Sequence, residues 1–348
     1  VNIHMKLESR MKDILYSNED SNGMPLTIEE QRVRLIVWQR KGITAIFAPV
    51  FAAVKENLKR VLRKDVVYTD GMTPMQISAL MNTITDDIVY AEDDLKKQDR
   101  QTDATLIATE MEIYKRLGAN KQVVDLWSNV HKRWRAKGIG LKFEGEASRH
   151  TGQATTALGN AIVNLIVKQR LVDRLGNNLK MMVILGDDNL ILTKPPITKD
   201  EIELNSARHY NMQSDASVRG DHGTFLRMIV YKNSMNKVEC GPDIIRLRRR
   251  FEVLNGVSEV NDNNLIMRSM SYCCMLGGLP QVRKLISDKQ WPIEVENWYE
   301  FSSLKENLAR KYNINETEVE YHLNKLLQMM SDLPLFTRDK LMFTEKGN

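Results

Sequence analysis

The 348-residue sequence predicts a mixed α/β region followed by a mostly helical one. Three observations carry that expectation. Residues 181–193, MMVILGDDNLILT, are two apolar runs around a tight acidic turn, the pattern of a core β-hairpin with acids at its tip. Apolar residues recur at a helical period on either side of it, at 50–62 and 162–172. Beyond residue 255 the text turns helical, and NETEVEYHLNKLLQMM sets Val319, Leu323, Leu326 and Leu327 at helical spacing. The length suits two or three domain-sized units or one large core. A composition 42% hydrophobic and 27% charged excludes disordered and collagen-like classes. Fifty Lys plus Arg against 45 Asp plus Glu leaves +5, which permits a nucleic-acid or phosphate partner without showing one. Three cysteines, Cys240, Cys273 and Cys274, exclude a disulfide-stapled scaffold and offer no paired zinc spacing, so a reducing compartment is the default. No apolar run is long enough for a membrane span.

The first thirty residues are polar and read as loop-rich, and the Val start reads as a fragment of something longer. Residues 31–67 read as an extended basic stretch, a turn at Gly42, and a helix from about Pro49 with Val50, Phe51, Val54, Leu58, Val61 and Leu62 inward. Its lysines and arginines are available to solvent or to a ligand. A second helix is expected over Thr73–Asn82. A short strand, Ile88–Ala91, then runs into the acids Glu92, Asp93, Asp94, Asp99 and Asp103, with a helix following from about Thr105 to Leu117. A basic connector (131–138) and an extended piece (139–145) precede the small, polar segment SRHTGQATTALGN. A helix follows over Asn160–Leu175, and then the acidic hairpin, where Asp188 and Asn189 are taken as the turn formers. Residues 197–222 are hard to read; 225–231 and 237–240 form a second hairpin, and IIRLRRRFEVL is strongly basic.

The acids carry the chemistry. Carboxylates held a few ångströms apart repel one another unless a divalent ion or a cationic group neutralises them. If Asp94 meets Asp187 in space, the pair offers hard oxygen ligands for Mg²⁺ or Mn²⁺, and two such ions suit in-line nucleotidyl transfer. Of Asp93 and Asp103, one reads as a supporting residue and the other as a helix-start acid. Between the acidic sites, Gly152 allows close backbone approach, while Thr155, Thr156 and Asn160 supply hydroxyl and amide groups; a plain capping segment reads the same way. Arg32, Arg34, Arg40 and Lys41 before the acids, and Arg246, Arg248, Arg249 and Arg250 after them, suit phosphates.

This order resembles the core of viral RNA-directed RNA polymerases. DLKKQD at 94–99 resembles the first catalytic motif, TGQATTALGNAIVN at 151–164 the Gly–Thr–Asn motif, and LGDDN at 185–189 the GDD turn. TAIFAP at 44–49 and the RHTG…TT..GN wording look most like the alphavirus-like supergroup, nearest its plant-infecting or endornavirus-like members. The resemblance implies a right-hand polymerase: partial fingers over 1–87, a palm over 88–255 with a finger insertion near 118–147, and a helical thumb over 256–348. It implies Asp94, Asp187 and Asp188 as catalytic and metal-binding residues with two Mg²⁺ (or Mn²⁺) ions. It further implies Asp99 and Asn160 as readers of the ribose 2′-hydroxyl, assisted by Thr155 or Thr156, with Gly152 and the basic group Arg32, Arg34, Arg40 and Lys41 as substrate-binding residues. RNA template, nascent strand and NTPs are the implied partners, with helicase and capping domains of a longer polyprotein, in a host-cytoplasmic replication complex tied to membranes only indirectly. Three departures stand out. Gln98 occupies a position that is aromatic in many relatives, Thr151-Gly152-Gln153 replaces Ser-Gly-Asp, and no lysine matches the expected general acid. Arg219 is the nearest by position, ahead of Lys194, Lys199, Arg208 and His209. A reverse transcriptase and a non-catalytic basic RNA-binding scaffold are the competing readings; Asn160 with Asp99 argues against the first.

Overall fold

The computed structural model describes residues 2–8, 32–138, 140–255 and 261–335, and they group into two units. The first comprises the described residues up to Gly71 together with Asp86–Leu226; the second comprises Met72–Thr85 and the described residues from Arg227 onward.

The first unit carries the acids. Strands β1 (Asn2–Glu8) and β2 (Arg32–Trp38) pair antiparallel, so a strand stands within the N-terminal stretch expected to be loop. The helix Lys41–Val61 begins eight residues before the expected start at Pro49, and Gly42 lies within it. A mid-helix proline removes one ladder hydrogen bond, at about 3 kcal/mol in an isolated helix. Here Pro49 faces solvent, and packing on either side of it compensates: the Phe47 and Phe51 rings lie 4.8 and 5.1 Å from Trp127. Trp127 is fully buried on the helix Lys121–Lys132, which Asn120 caps by accepting from the Gln122 and Val123 N–H groups.

The central sheet has the order β3-β7-β8-β4-β9, formed by β3 (Val66–Tyr68), β4 (Val89–Leu95), β7 (Leu179–Leu185), β8 (Asp188–Thr193) and β9 (Ser214–Arg219). Only β3 and β7 run parallel; the other neighbours are antiparallel. β5 (Trp134–Gly138) and β6 (Leu141–Gly145) form a hairpin beside β1, and β10 (His222–Phe225) packs against β4 and β8. In the β7–β8 hairpin, Leu185 pairs directly with Asp188, so the two turn residues are Gly186 and Asp187. Asp188 and Asn189, expected to form the turn, are strand residues. The left-handed φ of +62° falls on Gly186, the residue that adopts it at least cost. Val183, Ile184, Leu190 and Leu192 are completely buried, which fixes the register and therefore which residue sits at the tip.

The helix Thr156–Leu175 packs Leu158, Ala161, Ile162, Leu171 and Val172 into the same core. The segment that was hard to read contains the helix Lys199–Tyr210, opened by a Thr198–Glu201 capping box.

In the second unit, the expected helix near 73–82 runs over Pro74–Met81, with Thr73 and Gln76 forming a capping box. The expected second hairpin is present as β11 (Met228–Lys232) and β12 (Val238–Gly241). The Cys240 N–H donates to Ser78 Oγ at 3.2 Å, joining hairpin and helix. Helices Ile244–Asn255, Asp262–Leu276, Pro280–Lys289, Phe301–Tyr312 and Glu316–Ser331 complete it, with Val319, Leu323 and Leu326 buried as their spacing requires. The division between the units differs from the expected segment boundaries at 87/88 and 255/256, because Ile244–Asn255 packs against Glu316–Ser331.

Candidate active site

β4 and the β7–β8 hairpin deliver the acids to one end of the sheet. Along β4, Asp93 is buried while Asp94 is exposed, as alternation of side chains about a strand requires. Glu92 is the last β4 residue paired with β8, opposite Leu190, so Asp94 extends past that pairing toward the end of the hairpin that holds Asp187 in its turn and Asp188 at the start of β8.

The acids act on one another electrostatically. Partial burial and the Asp187, Asp93 and Asp215 carboxylates raise the pKa of Asp94, opposed by Lys96. Burial pushes Asp188 up to about 6; the Leu226 N–H, donating to Asp188 Oδ2 at 2.7 Å, works against this, while Asp187, Glu92 and Asp94 add to the rise. The surrounding carboxylates thus disfavour the ionisation of Asp94 and Asp188, a cost that a bound cation would relieve. Among the described residues, no three His, Cys, Asp or Glu side chains already stand at metal-ligand spacing.

Beneath the acids lies a polar network. Asp93 pairs with Lys168, and both side chains are essentially inaccessible. Burial lowers the Lys168 pKa against the pull of Asp93. Asn189 Nδ2 donates to the Asp93 carbonyl at 2.8 Å, and Asn164 Nδ2 to the Gly186 carbonyl at 3.2 Å and to Gln98 Oε1 at 3.1 Å. Gln98 Nε2 donates to the Asn160 carbonyl at 2.9 Å, and Asn160 Nδ2 to Asp99 Oδ1 at 3.0 Å. The structure therefore brings Asp99 and Asn160 together. Asn160 Oδ1 is buried with no partner among the described residues, an unfilled acceptor of the kind that folded proteins rarely leave.

Other expected residues are differently employed. The Thr156 hydroxyl donates to the His150 carbonyl at 2.7 Å and accepts from the Gln153 N–H at 3.0 Å, so both of its roles are filled locally. Thr155 is completely buried. Gly152 is bridged to Trp38, where a Cβ would lie 2.6 Å from the Trp38 Cβ; its lack of a side chain serves packing of this loop on β2. Arg40 and Lys41 are exposed at the start of the helix Lys41–Val61, whose first turn contains no acid. Two cations at a helix N-terminus oppose its dipole and leave the position favourable for an anion. The Arg32 and Arg34 side chains lie outside the described residues. Asp103 is the helix-start acid, accepting from the Leu106 N–H at 2.9 Å, and Asp93 is the supporting one. Arg219, the positional guess for a proton donor, donates to Glu92 at 2.6 Å, and Thr224 donates to the same carboxylate. Lys194 pairs with Asp86 at 2.8 Å, and Lys199 with Asp215 at 3.3 Å.

Sequence reasoning missed Gln98, Asn164 and Lys168. A signal for two of them was present: Asn160, Asn164 and Lys168 recur every four residues, a polar stripe on an otherwise apolar helix.

With this geometry in hand, comparison with known proteins is direct. Residues 12–213 match a family described as RNA dependent RNA polymerase. The chain is 28% identical over 193 residues to the RNA-directed RNA polymerase 2a of Alfalfa mosaic virus, covering 55% of this chain and 24% of that protein. It is 26% identical over 167 residues to the Replicase polyprotein 1ab of Beet yellows virus (isolate Ukraine), covering 47% of this chain and 5% of that one. The chain thus spans a minor part of these relatives. Among solved structures, an insertion-loop deletion mutant of the RNA-dependent RNA polymerase of a human picorbirnavirus superposes with a TM-score of 0.57 at 13% identity, over 86% of this chain and 61% of that one. This last likeness establishes the fold.

Proposed function

The chain belongs to the family of viral RNA-dependent RNA polymerases, and on that premise we propose that it carries out template-directed RNA synthesis. The 3′-hydroxyl of a nascent strand attacks the α-phosphorus of an incoming NTP. A new P–O bond forms, the bond to the β-phosphate oxygen breaks, and pyrophosphate leaves. The observation that carries this reading is the placement of Asp94 on β4 beside the hairpin that carries Asp187 and Asp188, with the Asp187 carboxylate raising the pKa of both Asp94 and Asp188.

That donor set fits Mg²⁺ or Mn²⁺, since it is built of hard carboxylate oxygens. Asp94 and Asp187 would hold two ions with Asp188 beside them; when bound, such ions acidify the attacking hydroxyl and neutralise charge on the phosphates. Asp188 is oriented by the Leu226 N–H, which leaves its other oxygen for the site. Asp99 fixes the Asn160 amide, whose free Oδ1 can accept a hydrogen bond from a ribose 2′-hydroxyl. Arg40 and Lys41, with Arg32 and Arg34, would receive the triphosphate. Template RNA, nascent strand and NTPs are the proposed partners, within a longer replicase that includes helicase and capping domains and works in a host-cytoplasmic replication complex. Among the described residues no helix is long and apolar enough to cross a membrane; indirect contact with host membranes is part of the proposal.

Paired assays separate this reading from a non-catalytic RNA-binding scaffold. Primer extension with Mg²⁺ or Mn²⁺ and filter binding are run on the same protein. The proposal expects templated incorporation; RNA retention without it would favour the scaffold.

A further inference from the structure

Gln98 and Asn164 are buried beneath the acids, yet they join the two halves of the site. Gln98 opens the short helix Gln98–Gln101, immediately before Asp99, and is 4% exposed; Asn164 is completely buried. The Gln98 amide spends its donor on the Asn160 carbonyl and its acceptor on Asn164 Nδ2. Asn164 in turn holds the carbonyl of Gly186, the residue that sets the acidic turn. Its Oδ1 accepts from Asn189 Nδ2 at 3.5 Å, and Asn189 grips the carbonyl of Asp93 beside Asp94. These bonds run without a break from the sugar-reading pair to both strands that carry the acids.

We infer that Gln98 and Asn164 are positioning residues for sugar discrimination, an amide relay that locks Asn160 to the Gly186–Asp187 turn. The inference rests on the proposed polymerase reading and adds residues to it. Its physical basis is geometric. A primary amide has a donor end and an acceptor end, so Gln98 bridges a carbonyl and an N–H in one fixed orientation. An aromatic ring at position 98 could fill the space but could not impose that orientation. Displacing Asn160 would weaken its contact with a 2′-hydroxyl and leave a deoxynucleotide, which lacks that group, little affected.

The test is single-nucleotide templated incorporation by the full chain and by its Gln98→Met and Asn164→Leu variants, each offered a matched NTP and its 2′-deoxy counterpart. The ribo-to-deoxy ratio of incorporation efficiencies is read within each sample, so it does not depend on the fraction folded. The relay predicts that the ratio falls about tenfold in each variant, the scale of losing one buried hydrogen bond. Asn160→Ala serves as the reference. If Asn160→Ala collapses the ratio while Gln98→Met and Asn164→Leu keep it within twofold, or incorporate neither sugar, the relay is wrong and the ribose reading stands. If Asn160→Ala also keeps the ratio, or the wild-type chain incorporates nothing, the underlying reading fails and the relay falls with it.

Discussion

Replacing Lys168 by Met would remove the cation that faces Asp93. Both side chains are almost completely inaccessible, and the second carboxylate oxygen, Asp93 Oδ1, has no other partner among the described residues. The variant therefore keeps an acid in the core with nothing to neutralise it. Breaking a buried pair in this way typically costs about 3–5 kcal/mol, whereas replacing both partners by apolar groups is often neutral or better. The pair joins β4 to the helix Thr156–Leu175. Urea denaturation of wild type, Lys168→Met and Asp93→Leu/Lys168→Met would measure this. The single variant is expected to lose about 3–5 kcal/mol and the double variant to recover most of it. A loss below about 1 kcal/mol for the single variant, the scale of an exposed pair, would refute the reasoning. So would a double variant no more stable than the single.

Two further outcomes follow from the site. The folded pKa of Asp188, about 6, lies above its ordinary value of 3.8, so its ionisation is a penalty on folding that is present above pH 6 and relieved as pH falls through 6. In metal-free buffer, Asp188→Asn should raise the thermal midpoint at pH 7.5, and that advantage should shrink toward pH 5; a pH-independent difference would contradict the assignment. Gly152→Ala places a Cβ 2.6 Å from that of Trp38, forcing the 150–155 loop off β2. A cost of about 1–3 kcal/mol is expected by thermal denaturation, as for other overpacked sites, and an unchanged midpoint would show that the loop yields freely.

The parts of the fold legible in the sequence were those in which local chemistry and burial agree. MMVIL and LIL could only be core strands, and Val319, Leu323 and Leu326 could only be one buried helix face. The Gly186–Asp187 turn was misplaced by two residues because Asp and Asn are strong turn formers wherever they stand; tertiary register chose the glycine instead. The helix Lys41–Val61 was started too late because the Pro49 penalty is local, while the Trp127 packing that outweighs it is not. The site followed the same division. Acids signal themselves by the cost of bringing them together, so Asp94, Asp187 and Asp188 stood out. Thr156 shows why a hydroxyl beside a helix start is ambiguous in sequence: it bonds its own loop as readily as a ligand, and here it joins the His150 carbonyl and the Gln153 N–H. The roles of Gln98, Asn164 and Lys168 were harder to read because their partners are far away in sequence, more than sixty residues for the Gln98–Asn160, Gln98–Asn164 and Lys168–Asp93 bonds.

The central claim is that the turn acids perform nucleotidyl transfer. Asp187 is exposed at the tip of the hairpin, so Asp187→Ala can be made without disturbing the core. Incorporation of a labelled NTP into a primed RNA template, with Mg²⁺ present, is the direct measurement. Wild type is expected to incorporate the nucleotide, and an Asp187→Ala variant with a wild-type melting curve to lose incorporation. Full activity in that variant would contradict the claim.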